Sequence, residues 1–242
     1  MKHLILLISI LTRSILCNAQ NVVYDENAEV RTVASFNGVD VSGSISVYLS
    51  QGTAQGVAVS AGEEKYNDKI KTEVKNGVLK IFVDGGVWNS FNWVNKKLKA
   101  YVTVTDLNRI EVSGASYMSL SGAVKSEDLK IDVSGASEVK GIVNVSKLNI
   151  DVSGASVVRL SGTAKDGLID ASGACKITSY DLVLDRCNVS TSGASSIRVT
   201  VNNELNADAS GGSTIYYKGA GVVKSVSTSG GGSIKNRSGD DD

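Results

Sequence analysis

The sequence predicts an all-β chain folded as a parallel β-helix, and three observations carry that prediction. Its 242 residues hold 25 Gly and no Pro, a composition of many tight turns that leans away from a helical enzyme fold. Ser-Gly followed by Ala or Gly recurs at Ser113, Ser134, Ser153, Ser172, Ser192, Ser210 and Ser229, spaced by 21, 19, 19, 20, 18 and 19 residues. Around each serine the apolar positions form columns. Three residues before it stand Ile110, Ile131, Ile150, Ile169, Val189, Ala207 and Val226, and five after it Met118, Val139, Val158, Ile177, Ile197, Ile215 and Ile234. The positions between are mostly polar, so period-two alternation brackets a glycine turn, as in short strands with one buried face.

Taken in chain order, residues 1–19 read as a signal peptide. Lys2 supplies the positive start, Leu4 to Leu11 the apolar core, and Cys17-Asn18-Ala19 a small-x-small cleavage site before Gln20. Arg13 keeps the apolar run far below the roughly 20 residues that span a bilayer. A lipid anchor on Cys17 is the weaker alternative, because Leu16 stands where a lipoprotein signal wants a small residue. The expectation is an exported chain, periplasmic, outer-membrane-associated or extracellular, with no transmembrane segment after cleavage. Cleavage removes Lys2 and Arg13 from 25 basic residues and none of the 25 acidic ones, leaving a slightly acidic protein unsuited to nucleic acid. It also removes His3, the sole histidine, which excludes Ser-His-Asp and Cys-His catalysis and histidine-ligated metals.

Residues 20–29 read as a flexible N-terminus, and 30–106 as an irregular β-helical or capping part. There Val39-Asp40-Val41-Ser42-Gly43-Ser44-Ile45-Ser46-Val47 matches the repeat around Ser42, and strands are expected at Val57 to Ser60, Lys69 to Val74, Val78 to Val83 and Leu98 to Thr105. Between the last two lies Asp84 to Asn95, holding Trp88, Phe91 and Trp93. Clustered aromatics with Asn are candidates to stack on sugar rings or anchor a protein partner. The plainer reading is a lid packed on the stack.

Residues 107–236 read as regular coils. A helical repeat fails, because glycine in every copy would cost each helix about 1 kcal/mol. One copy of about 19 residues cannot bury its apolar positions alone, whereas parallel stacking aligns them in a continuous core. Ser121-Gly122, Ser161-Gly162 and Gly141 suggest a second corner and a coil of several short sides. Cys175 replaces the motif's fourth residue, elsewhere Ser116, Ser137, Ser156, Ser195 and Ser213, and Cys187 shares a column with Leu129, Leu148 and Leu205. Both read as inward-facing and inert, with a disulfide between them left open. Residues 237–242 form an acidic tail.

Two outer columns carry charge. Glu111, Asp132, Asp151, Asp170, Ser190 and Asp208 stand two residues before the motif serines. A divalent cation would relieve repulsion between stacked carboxylates, which makes Asp132, Asp151 and Asp170 candidate Ca²⁺ ligands, the sole cofactor considered. Against this stands a solvated, salt-screened face with Lys130 close to Asp132. Six residues after the serines run Lys140, Arg159, Arg198 and Lys235, interrupted by Thr178 and Tyr216.

The opening Phe36-Asn37-Gly38-Val39-Asp40-Val41-Ser42-Gly43, the strand Gly77-Val78-Leu79-Lys80-Ile81 and the repeated Val-Ser-Gly-Ala-Ser resemble secreted bacterial auto-transporter adhesins with a head GIN domain, over residues 30 to 236. The resemblance implies a right-handed parallel β-helix at the cell envelope with an adhesive role and no catalytic residues to carry over. The leading expectation is a non-enzymatic scaffold contacting a glycan or cell-surface protein. The alternative is a polysaccharide lyase or hydrolase using the surface carboxylates. A purely structural envelope component is a third.

Overall fold

A computed structural model describes residues 25–83 and 97–239. The signal-peptide segment, the Trp88–Phe91–Trp93 cluster and the final residues 240–242 lie outside the described residues. The strands are β1 (Glu29–Val30), β2 (Gly38–Val41), β3 (Ser46–Gln51), β4 (Gly56–Ser60), β5 (Ile70–Lys75), β6 (Val78–Val83), β7 (Lys99–Val104) and β8 (Arg109–Val112), with a 3-10 turn at Glu64–Lys69 before β5. They continue as β9 (Tyr117–Val133), β10 (Glu138–Val152), β11 (Val157–Ala171), β12 (Lys176–Thr191), β13 (Ser196–Ala209), β14 (Thr214–Lys218), β15 (Val222–Thr228) and β16 (Ser233–Asn236). All join one sheet wound into a β-solenoid of about 7 turns.

From β9 to β13 each coil is a single long strand closed by the Ser-Gly-Ala-Ser turn, and the next coil breaks into β14 and β15 around Gly219 and Gly221. The neighbours of each long strand above and below run parallel in register, as with Ile131, Ile150 and Ile169. The coil was expected to break into short sides at a second glycine corner. Instead strands of 14 to 17 residues bend through it. The register slips by a bulge between Lys140 and Ile142, and a bulge bends a strand while keeping the ladder on either side.

The apolar columns form the core: Ile110, Ile131, Ile150, Ile169, Met118, Val139, Val158, Ile177, Ile197 and Ile215 are all fully buried. Val226 departs from its column at 55% exposure, because it lies on β15, which pairs with β13 alone and has no described strand above it.

The motif's fourth residue has a structural job inside the turn. Ser116, Ser137, Ser156, Ser195 and Ser213 are buried. The first four hydroxyls accept amides from the coil below, as from Ser116 N to Ser137 Oγ at 3.3 Å and from Cys175 N to Ser195 Oγ at 3.2 Å, Ser195 Oγ donates to the Gly173 carbonyl at 3.2 Å, and Ser213 Oγ donates to the Ser210 carbonyl at 2.7 Å. Such buried polar groups are tolerated because they are satisfied. Cys175 fits the same slot, its thiol 3.1 Å from the Ser172 carbonyl. It and Cys187 are free and buried, so no disulfide joins them.

The N-terminal part both continues the stack and caps it, but out of chain order. The coil made of β2 and β3 is sandwiched: β2 lies between β6 and β8, and β3 between β7 and β9. Ser42 therefore aligns with Ser113, Val47 pairing with Met118 as the repeat requires. Below this coil β4 pairs antiparallel with β7, β1 with β4, and β5 with β6. Buried Asn67 knits the cap, accepting the Ala61 amide at 2.8 Å and donating to the Asn27 carbonyl at 2.7 Å.

Candidate functional site

Each Ser-Gly-Ala-Ser turn separates two walls of the solenoid, and period-two alternation sends every second side chain of each wall outward. The strand segment before the turn builds an acidic wall. The segment after it builds a wall of tyrosines and cations.

On the acidic wall Asp40, Glu111, Asp132, Asp151 and Asp170 stack in register. Its lower half is neutralised: Lys80 Nζ lies 2.6 Å from Asp40, Lys130 Nζ 2.9 Å from Asp132, and Arg109 pairs with Glu111 and reaches Asp132 at 3.9 Å. Higher up, Asp151 and Asp170 are adjacent in a shallow groove shared with Ser190 and Asp208. Burial and the Asp151 charge push the Asp170 carboxyl above its usual range, with a hydrogen bond from Ser190 opposing them. The three candidate calcium ligands thus fall on successive coils but in different settings, Asp132 already paired with Lys130. Among the described residues no group of three or more His, Cys, Asp or Glu side chains is placed to hold a metal ion.

The other wall gathers residues that the spacing of the repeats did not connect. Tyr101 on β7 and Tyr48 on β3 stack with ring centroids 5.5 Å apart, and Tyr117 on β9 meets Tyr48 edge-on at 6.5 Å. Lys140 sits 5.3 Å over the Tyr117 ring, and beyond it Arg159 is paired with Glu138. Further along the axis Arg198 lies 5.0 Å from the Tyr216 ring centroid, Arg237 lies 5.3 Å from the same centroid, and Lys218 lies 4.8 Å from that of Tyr180. Cations over aromatic faces are held in position while keeping their charge.

The basic column Lys140, Arg159, Arg198 and Lys235 therefore does run along one wall: Lys140 pairs with Arg159, Arg198 with Tyr216, and Tyr216 with Lys235. What the sequence reading missed is the tyrosines beside it. In the sequence Tyr216 only interrupts the stripe, whereas in the fold it is the ring on which Arg198 of the stripe and Arg237 beyond it converge. A signal was available in composition, since Tyr is the commonest aromatic, with 8 residues against 3 Phe and 2 Trp.

The Asp25 carboxylate fastens the N-terminal edge of this wall. It accepts hydrogen bonds from Tyr101 Oη at 2.7 Å, Lys99 Nζ at 3.0 Å, Ser60 Oγ at 3.0 Å and the Asn27 amide at 3.2 Å. Burial alone would raise its pKa, but these four donors outweigh it and hold the carboxyl at about 2.

Comparison with known proteins fits this architecture. The sequence profile of the family described as "Putative auto-transporter adhesin, head GIN domain" matches residues 35–221. Among solved structures, a putative adhesin from Bacteroides fragilis is 25% identical, with a TM-score of 0.77 over 86% of this chain and 95% of its own. A putative adhesin from Parabacteroides distasonis is 20% identical, with a TM-score of 0.67 over 86% of this chain and 95% of its own. A putative lipid binding protein from the same species is 19% identical, with a TM-score of 0.64 over 88% and 97%, and shares the fold. A comparison with curated proteins finds no match. No helix among the described residues is long and apolar enough to cross a membrane.

Proposed function

The chain belongs to the auto-transporter adhesin, head GIN domain family, and on that premise we propose that it is an exported, non-catalytic scaffold that contacts a glycan on a cell surface through its tyrosine-and-cation wall. The observation that carries this reading is a pair of aromatic–cation clusters on one wall, Tyr101–Tyr48–Tyr117–Lys140 and Arg198–Tyr216–Arg237. Tyrosine offers a flat face to a sugar ring and a hydroxyl to its substituents, at low cost in side-chain entropy. A rigid solenoid repeats such contacts along one axis, so weak single contacts add by multivalency. The acidic wall favours decoration of the repeat over catalysis: its carboxylates recur on successive coils, and those of its lower half are paired with Lys or Arg.

The test is binding of the purified protein to whole cells and a glycan array, beside a variant carrying Tyr48→Ser, Tyr117→Ser and Tyr216→Ser. Retention by the native chain and a loss of about a hundredfold in the variant are expected, since three stacked aromatic contacts at roughly 1 kcal/mol each come to about 3 kcal/mol. Native-level binding by a folded variant would sink the proposal, as would release of reducing ends or unsaturated products from a polysaccharide panel, with or without calcium. The cluster Trp88, Phe91 and Trp93 is a second candidate contact, and Trp88→Ala with Trp93→Ala in the same assay measures its share.

A further inference from the structure

One coil reverses the pattern of its neighbours. Before each turn the chain sets a buried apolar residue beside an outward polar one, Leu129–Lys130, Leu148–Asn149, Cys187–Asn188 and Leu205–Asn206, all aligned in register. On β11 the same two positions are Gly167 and Leu168. The inward space is taken by Leu184, whose methyl carbons would lie 3.1 Å from a Cβ at 167. Leu168 faces outward at 41% exposure, in a groove of about 570 Å³, within the size range of small-ligand sites. It also interrupts a ladder of side-chain amides. Asn206 Nδ2 donates to Asn188 Oδ1 at 2.8 Å, and the next rung, between Asn188 and Asn149, is missing. Across that gap Asn149 Oδ1 is buried with no hydrogen-bond partner, and the Asn188 NH2 group donates to no atom of the described residues.

We propose that the acetamido group of an N-acetylated amino sugar, carried on a neutral glycan, supplies the missing rung. Its carbonyl accepts from Asn188, its N–H donates to Asn149 Oδ1, and its methyl lies against Leu168. Two coil steps separate the asparagines, about 9.6 Å, the span that one amide bridges when it hydrogen-bonds on both sides in a ladder. The polarity matches, since Asn206 donates toward Asn188 and the series continues in the same direction. A buried acceptor left without a donor is costly, so a ligand that supplies one gains affinity. Because that oxygen is buried, Leu168 swings aside as the amide enters, a rotamer change open to an exposed side chain. The charged residues nearby are already paired, Lys130 with Asp132, Lys147 with Asp128 and Arg186 with Asp166, which favours a neutral ligand. A peptide fits less well, because it brings several backbone amides to a wall where β10, β11 and β12 each pair with strands on both sides. A hexosamine brings one amide per ring. The groove lies on the acidic wall, so this site goes beyond the contact proposed for the tyrosines and does not depend on it.

Calorimetric titration of the purified protein compares tetra-N-acetylchitotetraose with cellotetraose, which has the same backbone linkage without acetamido groups, and with acetyl-tetraalanine amide. Expected are binding of the chitotetraose and about tenfold weaker binding of the other two. Leu168→Asn places the protein's own amide in the gap, as Asn149 and Asn188 do in the adjacent coils. This variant should melt at or above the native temperature and bind the chitotetraose about tenfold more weakly. Should it misfold, the ranking of the three ligands still decides. The variant carrying Tyr48→Ser, Tyr117→Ser and Tyr216→Ser should bind the chitotetraose as the native protein does, which separates this site from the tyrosine wall. Equal affinity for the two tetraoses, a preference for the peptide, undiminished binding by a folded Leu168→Asn, or no binding of any probe would each overturn the assignment and leave the tyrosine-wall reading standing.

Discussion

Asp25 shows how much one side chain contributes when every polar atom finds a partner. Its side chain is 11% exposed and carries four hydrogen bonds, one of them charge-assisted by Lys99. The folded pKa lies near 2 against an ordinary 3.8. A carboxyl depressed in the folded state contributes stability that is fully present above 3.8 and is lost as pH falls through about 2, roughly 2 kcal/mol in all. Asp25→Asn keeps an acceptor for Tyr101 and Ser60 but loses the charge facing Lys99. It should lower stability by about 1–2 kcal/mol at pH 7, with the gap to the native protein narrowing as pH approaches 2. Urea denaturation of both proteins across that pH range checks this, and a pH-independent gap would place the effect in packing instead. The cysteines mark the opposite case: burial pushes the Cys187 thiol up to about 12, so it stays protonated and inert in the folded chain.

At the scale of the element, the repeat is held by its turn as much as by its core. Gly173 has φ +98°, and a Cβ placed there would lie 2.6 Å from the Gly154 carbonyl oxygen. That carbonyl accepts the Ala174 amide at 2.8 Å, and the contact recurs one coil on, where Ala194 N meets Gly173 O at 2.7 Å. Glycine is thus required twice, for the left-handed backbone and for the close stacking of one turn on the next. Gly173→Ala should cost about 2–3 kcal/mol from strain and the displaced ladder. Gly56→Ala, where nothing lies within 4 Å, should stay within about 0.5 kcal/mol of native. Equal melting temperatures for the two variants would show that the turns do not govern stability.

The same elements explain which parts of the molecule could be read from the sequence. In the regular coils each residue meets the same residue type above and below, so the columns at Ile131 and Val139 in one coil fixed the fold and its buried face. The tyrosine wall was not legible in that way. Tyr48 meets Tyr101 only because the β2–β3 coil is sandwiched between coils that come later in the chain, and no local pattern encodes that order. Tyr180 falls where the register shifts between Ser179 and Val183, so it drops out of any fixed-interval alignment. The basic stripe was visible because it holds register, and the partners that give it meaning were hidden by these two irregularities.

At the scale of the whole molecule, the solenoid is a column of nearly interchangeable units between unlike ends. The N-terminal end is closed by antiparallel β4 and β5, while β15 and β16 each pair on one side only. Stability in such an array is approximately a sum of intrinsic and nearest-neighbour terms, so removing one complete unit should shorten the column without disrupting it. Deleting residues 153–171 joins Val152 to Ser172 and sets β12 on β10. It keeps Ile177 over Val139 and Val189 over Ile150, and it removes Asp170, whose carboxyl is strained by burial and by Asp151. The shortened protein should fold with an unchanged β-type circular dichroism spectrum, a column shorter by about 4.8 Å and a lower melting temperature. Deleting 153–162 alone removes the turn and half of the coil, leaving the Ser172 turn with no turn beneath it, and should abolish cooperative unfolding. If both deletions behaved alike, the coil would not be the unit of this fold.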